Sequence, residues 1–288
     1  MTLLLTKSYR LINDKERTLK QTYRVEKSDK QLANLLLIDF EKDNEIISLV
    51  FDTGASISVL SESAARKFQS KSNDKEISGK GTAGNQMSAN LHSVTNIKLG
   101  DFLINELDVV VVDDAALCFG VDQEGNELSC DGFIGWSFIS KFSWNYDHVS
   151  RTLHFGHSKE NKSLNNLEDW DNMPIVKVKH NDSHLFFGFD TGHTESVFSK
   201  YMYNRIDDTI MSTDVFSGLD GDSEEKVKIL KEFNFEINNK EVELKHISVI
   251  DRDLFPSSRD NISGLLGYDV LQGKSWLFDY PNRHFEIL

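Results

Sequence analysis

The chain is short of four things, and each shortage excludes something. It has 3 prolines against 17 glycines, which suits many tight turns and few rigid, Pro-rich linkers. It has 2 cysteines, Cys118 and Cys130. That is too few for a zinc signature. They read as free thiols in a reducing compartment, with a clip across their loop left open. Long apolar runs are missing too. No stretch approaches the roughly 20 residues of a membrane span. The opening MTLLLTKSYRLINDKER has only a short apolar run before Lys7, too little for a secretory signal. The expectation is a cytoplasmic chain without membrane association. Basic charge is the fourth shortage: 32 Lys and Arg face 46 Asp and Glu, a net charge of -14. Such a surface repels phosphate backbones, so nucleic acid is not an expected partner, while a basic peptide would be attracted.

What is present is a core and a repeat. Hydrophobic residues make up 39% of the 288, with 19 Phe and 4 Trp among them. That excludes a disordered chain and leaves room for two domains. VFDTGAS (50–56) recurs as GFDTGHT (188–194), with the aspartates 138 residues apart. A second pair, DGFIGWSFISKFSWNYDHVSRTLHF (131–155) and SGLLGYDVLQGKSWLFDYPNRHFEI (263–287), aligns without a gap at an offset of 132. Gly135 then meets Gly267, Trp144 meets Trp276 and Asp147 meets Asp279. Two landmarks repeated in the same order mean that one unit is written twice.

Each copy reads as β-structure. LANLLLIDF and EIISLVFDT flank the polar turn EKDNE, and MPIVKVKH and HLFFGFDT flank NDS; both predict hairpins. Two further pairs of β-branched and aromatic runs, in 94–114 and 231–251, predict hairpins as well. Short helix-like stretches lie at 61–68 and 199–206. The expected division is an N-terminal extension (1–30), a first lobe (31–158), a polar linker (159–172) and a second lobe (173–288). The extension carries 8 Lys or Arg against 4 Asp or Glu and adds an edge strand or stays mobile.

FDTGAS with DGFIGWSF, then FDTGHT with SGLLGYDVL, resembles the aspartic peptidases, the clan of pepsin and the retroviral proteases. The texture is nearest the retropepsin-like branch. The resemblance runs over roughly residues 31–288 and implies an all-β, bilobal fold with two β-barrel-like lobes and a cleft between them. It implies peptide hydrolysis without cofactor or metal, with Asp52 and Asp190 as the catalytic pair. The chemistry asks for the same pair. Cleaving an amide with water needs a base for the water proton and an acid for the carbonyl oxygen. Two adjacent carboxyls cannot both ionise, so one keeps a proton and the pair fills both roles. Gly54 and Gly192 let the loops approach where a Cβ would block them. By resemblance, Thr53 and Thr191 lock the loops together across the lobes, and Ser56 and Thr194 brace each loop on its own strand. Phe51 and Phe189 read as core. SGKGTAGNQ (78–86) is placed as a substrate-covering flap, with Gly79, Gly81, Thr82, Ala83 and Gly84 at its tip. SGLDGDSEE (217–225) holds the equivalent place in copy two, and one flap or two stays open. Ala55 and His193 stand where pepsin-like enzymes carry a hydroxyl donor to the carboxylate. Its loss predicts an optimum of about pH 5–7 rather than about pH 2–3.

Other signals carry less. GYDVLQGKS has one residue too many for a phosphate loop. His148, His154 and His157 lack a zincin spacing. The longer stretch 113–132 reads as a surface loop or as the wall of a specificity pocket. The expectation is an endopeptidase, sufficient as a monomer, acting on a peptide or protein substrate. A narrow role is favoured, maturing a dedicated intracellular protein or leader peptide inside a bacterium. The alternative is a peptide- or protein-binding module of the same fold without catalysis.

Overall fold

The computed structural model describes residues 22–80, 86–121, 125, 127–158, 165–170, 173–207, 209–219, 221–254 and 261–288. It is all-β and bilobal. In the first lobe, strands Leu37–Lys42, Glu45–Phe51, Gly132–Ile134, Ser58–Ser61, Phe102–Val112 and Gln86–Leu99 are bonded in that order. A pairing of Glu41 with Lys98 closes them into a six-strand barrel. The second lobe repeats the arrangement with Met173–His180, Ser183–Phe189, Ile262–Leu266, Val197–Phe198, Lys240–Ile250 and Gly221–Ile237, closed where Lys179 meets Glu236.

Local chemistry explains the elements. The first hairpin turns at Asp43 and Asn44, both at positive φ (52° and 67°); the turn at Asn238 and Asn239 does the same at 48° and 64°. Asn and Asp tolerate the left-handed region that such two-residue turns need. Strand Glu45–Phe51 is buried from Ile47 onward, as an apolar run covered on both faces should be. Ser61 caps helix Glu62–Lys67 by accepting from the Ala64 N–H at 3.0 Å, and Ser199 does the same for Lys200–Tyr203. No described helix is long and apolar enough to cross a membrane.

A third sheet fastens the lobes together. Its order is Thr22–Glu26, Thr152–Gly156, Ser143–Asp147, Trp276–Asp279, His284–Ile287. The lobes meet where Ser143–Asp147 runs antiparallel to Trp276–Asp279, with Trp144 opposite Phe278. Both repeated tryptophans, Trp144 and Trp276, are fully buried here. Phe51 packs against both, with ring centroids 5.1 and 5.8 Å away, and Phe189 packs on Phe278 and Phe285. The strands leading into the two aspartates therefore rest on a floor shared by both lobes.

Of the two alternatives for the extension, its described end takes the edge strand: Thr22–Glu26 forms the edge of the joining sheet, with Tyr23 packed on Phe102 and Phe155 and Val25 buried. The linker contains strand Leu167–Trp170, paired with Met173–His180. Its polar composition conceals a strand because ladder bonds and the burial of Leu167 hold it, not apolar alternation.

Candidate active site

Each Asp-Thr-Gly follows a buried strand and is stopped by a supporting strand. The Asp52 N–H donates to Ile134 O (3.1 Å) and the Asp190 N–H to Leu266 O (2.9 Å). Chain turns away from the barrel at that point, and the next residues close over Gly135 and Gly267. A Cβ on Gly135 would sit 2.7 Å from Ala55 O, and one on Gly267 2.7 Å from the Glu195 carbonyl, closer than any side chain tolerates. The loops are then bolted down in matching fashion. Trp136 N–H donates to Ala55 O and Tyr268 N–H to His193 O, both at 2.7 Å.

The threonines cross the lobe boundary. Thr53 Oγ1 donates to Phe189 O (2.6 Å) and accepts from the Thr191 N–H (3.0 Å). Thr191 Oγ1 donates to Phe51 O (2.5 Å) and accepts from the Thr53 N–H (3.1 Å). Both residues are buried. Four bonds related by a twofold fix one loop against the other, and each saturates a backbone group that has no ladder partner there.

The carboxyls consequently face each other. Asp52 Oδ1 accepts from the Gly54 and Ala55 N–H groups (2.8 and 2.9 Å), and Asp190 Oδ1 from the Gly192 N–H (2.9 Å). A Cβ on Gly54 would land on the Asp190 carboxylate, and one on Gly192 on that of Asp52. Only glycine permits this approach. Burial raises Asp52 well above the usual carboxylate range, and the charge of Asp190 adds to it. Burial also raises Asp190, opposed by its bond with Asp52 and by the amides of Gly192, His193 and Gly54. One carboxyl thus keeps a proton while the other is ionised.

The bracing expected of Ser56 and Thr194 falls elsewhere. Ser56 is exposed and offers its carbonyl to the Ser137 N–H; Thr194 offers its carbonyl to Asn34 Nδ2 of the other lobe. The bracing hydroxyls are Ser58 and Ser196, which accept from Gly135 N–H and Gly267 N–H at 3.0 Å each. Their spacing of 138 residues equals that of the aspartates, a signal that was available in the sequence. Ser56 and Thr194 lie in the loops, whereas Ser58 opens the buried strand Ser58–Ser61 and Ser196 stands buried just before strand Val197–Phe198. Lobe two adds a partly buried acid: Asp269 accepts from the Ser196 N–H and Oγ–H (2.8 and 2.7 Å), where lobe one has Ser137. The hydroxyl missing beside the carboxyls is not replaced, since His193 Nδ1–H donates to Glu195 O.

Antiparallel hairpins stand at the expected places in both lobes, Lys71–Lys80 with Gln86–Leu99 and Thr209–Gly218 with Gly221–Ile237. Gly79 pairs with Met87; Gly81, Thr82, Ala83 and Gly84 lie outside the described residues. Among the described residues no group of His, Cys, Asp or Glu could hold a metal ion. Cys118 is exposed and Cys130 buried, and both are free thiols.

No curated protein matched the chain. Residues 39–138 match the aspartyl protease family model. That stretch, about a third of the chain, carries the first Asp-Thr-Gly loop and its supporting strand, and by it the chain is similar to the aspartyl protease family.

Proposed function

We propose that the protein is an aspartic endopeptidase that hydrolyses an extended peptide laid across the cleft, with Asp52 and Asp190 as its catalytic pair. The observation that carries this reading is the mutual approach of the two carboxyls, enforced by Gly54, Gly192 and the reciprocal threonine bonds. An ionised carboxyl takes a proton from water while the protonated partner donates to the peptide carbonyl oxygen. Water oxygen bonds to the carbonyl carbon, giving a neutral tetrahedral diol. In the collapse, the carboxyl that took the water proton gives it to the nitrogen, a diol hydroxyl gives its proton to the other carboxyl and the C–N bond breaks, so that the pair carries one proton throughout. Both half-sites lie in one chain, so a monomer suffices.

Cleavage of a quenched-fluorescence peptide library tests the reading. The parent should cut and a statine-type inhibitor should block it. Asp52→Asn and Asp190→Asn should each lose at least about a thousandfold in kcat, as removal of one half of an acid–base pair does. Residual cutting by either variant at the parental rate would sink the assignment.

A further inference from the structure

A pocket of about 320 Å3 lies between the first-lobe insert and the tip of the second-lobe hairpin. Ala115, Ala116, Cys118 and Phe119 form one side, Leu219 and Asp222 the other. Volume decides the size of the occupant: it is at the low end for ligand sites, right for one long side chain and small for a cofactor. Its chemistry decides the type. Phe119 and Leu219 are partly buried apolar walls, the alanines offer little bulk, and Asp222 is the charged residue among the described lining. Asp222 has no ion-pair partner among the described residues, whereas its neighbour Glu225 is engaged by Arg252.

The pocket bridges the two lobes, and its first-lobe side is tied to the strand that supports Asp52. Cys118 lies opposite Ser129, and the Cys130 N–H donates to Leu117 O at 3.3 Å. Cys130 in turn leads into strand Gly132–Ile134, whose Ile134 O accepts the Asp52 N–H. The stretch 113–132 therefore runs from the strand that supports the first carboxyl out to the other lobe.

We propose that this pocket takes a lysine or arginine side chain of the substrate, so that the enzyme prefers peptides that are basic at one position near the cut. The inference rests on the peptidase reading and names its substrate class. A basic side chain lays its methylene stem along apolar walls and keeps its head at a polar edge, which matches Phe119, Leu219 and Asp222 in that order. A cation over the Phe119 ring adds to the attraction. The net charge of -14 draws such peptides in.

Two measurements test it. In the first, peptides carrying Arg, Met or Glu at each position around the cut are compared on the parent, Asp222→Asn and Asp222→Lys. The preference for Arg over Met should fall about fivefold in Asp222→Asn, the upper end for an exposed ion pair, and turn towards Glu in Asp222→Lys. An unchanged preference, or an equal loss on all peptides, overturns the inference. The second needs no cleavage. In the Asp52→Asn protein, Cys118 is alkylated with iodoacetamide; Cys130 does not compete, being buried with its thiol pushed up to about 12. An Arg peptide should slow modification at least about threefold and its Glu counterpart should not; equal rates overturn the inference. Protection without any cleavage by the parent would remove the peptidase reading and keep the pocket. Cleavage indifferent to Asp222 would do the reverse.

Discussion

Ala55 and the two carboxyls set what single residues decide. Burial raises both aspartates, so the single-proton form occupies a window above the ordinary carboxylate range. Below the window both carboxyls are protonated and no base remains; above it both ionise and the acid is gone. kcat/KM should therefore peak at about pH 5–7, and a maximum below about pH 4 would contradict the geometry. Ala55→Ser restores a hydroxyl donor beside Asp52, favours its ionised form and should move both limbs down by about one pH unit. Linkage gives a second expectation. The folded carboxyls keep protons that the unfolded chain releases, so stability rises as pH falls through the raised values and is penalised above them. Asp52→Asn removes that penalty while its side-chain oxygen still accepts from Gly54 and Ala55. It should be inactive yet melt a few degrees above the parent at about pH 8, the gap closing near about pH 4. Scanning calorimetry at both values checks the sign. The aspartates, glycines and threonines were legible because their roles demand particular residue types twice over. Ser58 and Ser196 were not, because Ser56 and Thr194 keep the same 138-residue spacing and only burial separates the two pairs.

Elements act here through loops that hold each other. Each threonine saturates a carbonyl and an N–H of the opposite loop, so Thr191→Val orphans two buried backbone groups at once. A buried polar group left unpaired costs about 1–3 kcal/mol, and each single variant should lose roughly 2–4 kcal/mol in urea unfolding. Thr53→Val with Thr191→Val should lose clearly less than the summed singles, because the first substitution already frees the opposing loop. Strict additivity would mean that the bonds act independently. Hairpins were readable for a related reason: apolar runs ended at Asp-Asn or Asn-Asn, and those residues supply the left-handed turns. Strand Leu167–Trp170 escaped notice because its ladder with Met173–His180 depends on the partner strand and not on its own pattern.

At the scale of the molecule, the repeat announced two lobes but not how they are joined. The gapless segments 131–155 and 263–287 each supply a supporting strand and then one hairpin, and the two hairpins pair edge to edge in the joining sheet. Nothing local in a sequence says that Trp144 will face Phe278; that pairing spans more than a hundred residues and is decided by which edges remain open once the barrels close. Aromatic contacts reinforce the seam, with Trp136 of the first lobe 4.3 Å from the Tyr280 ring and 5.8 Å from that of Phe278. The main buried cluster accordingly contains residues of both lobes. Lobes that share a sheet and a core should not melt separately. Calorimetry should show one transition whose calorimetric and van't Hoff enthalpies agree. Trp136→Ala empties part of the shared seam and should lower that single transition by about 3–5 kcal/mol, the cost of deleting a buried aromatic. If instead the variant, or the parent, unfolds in two resolved steps, each lobe has its own core, and the seam alone would not hold the carboxyls in register.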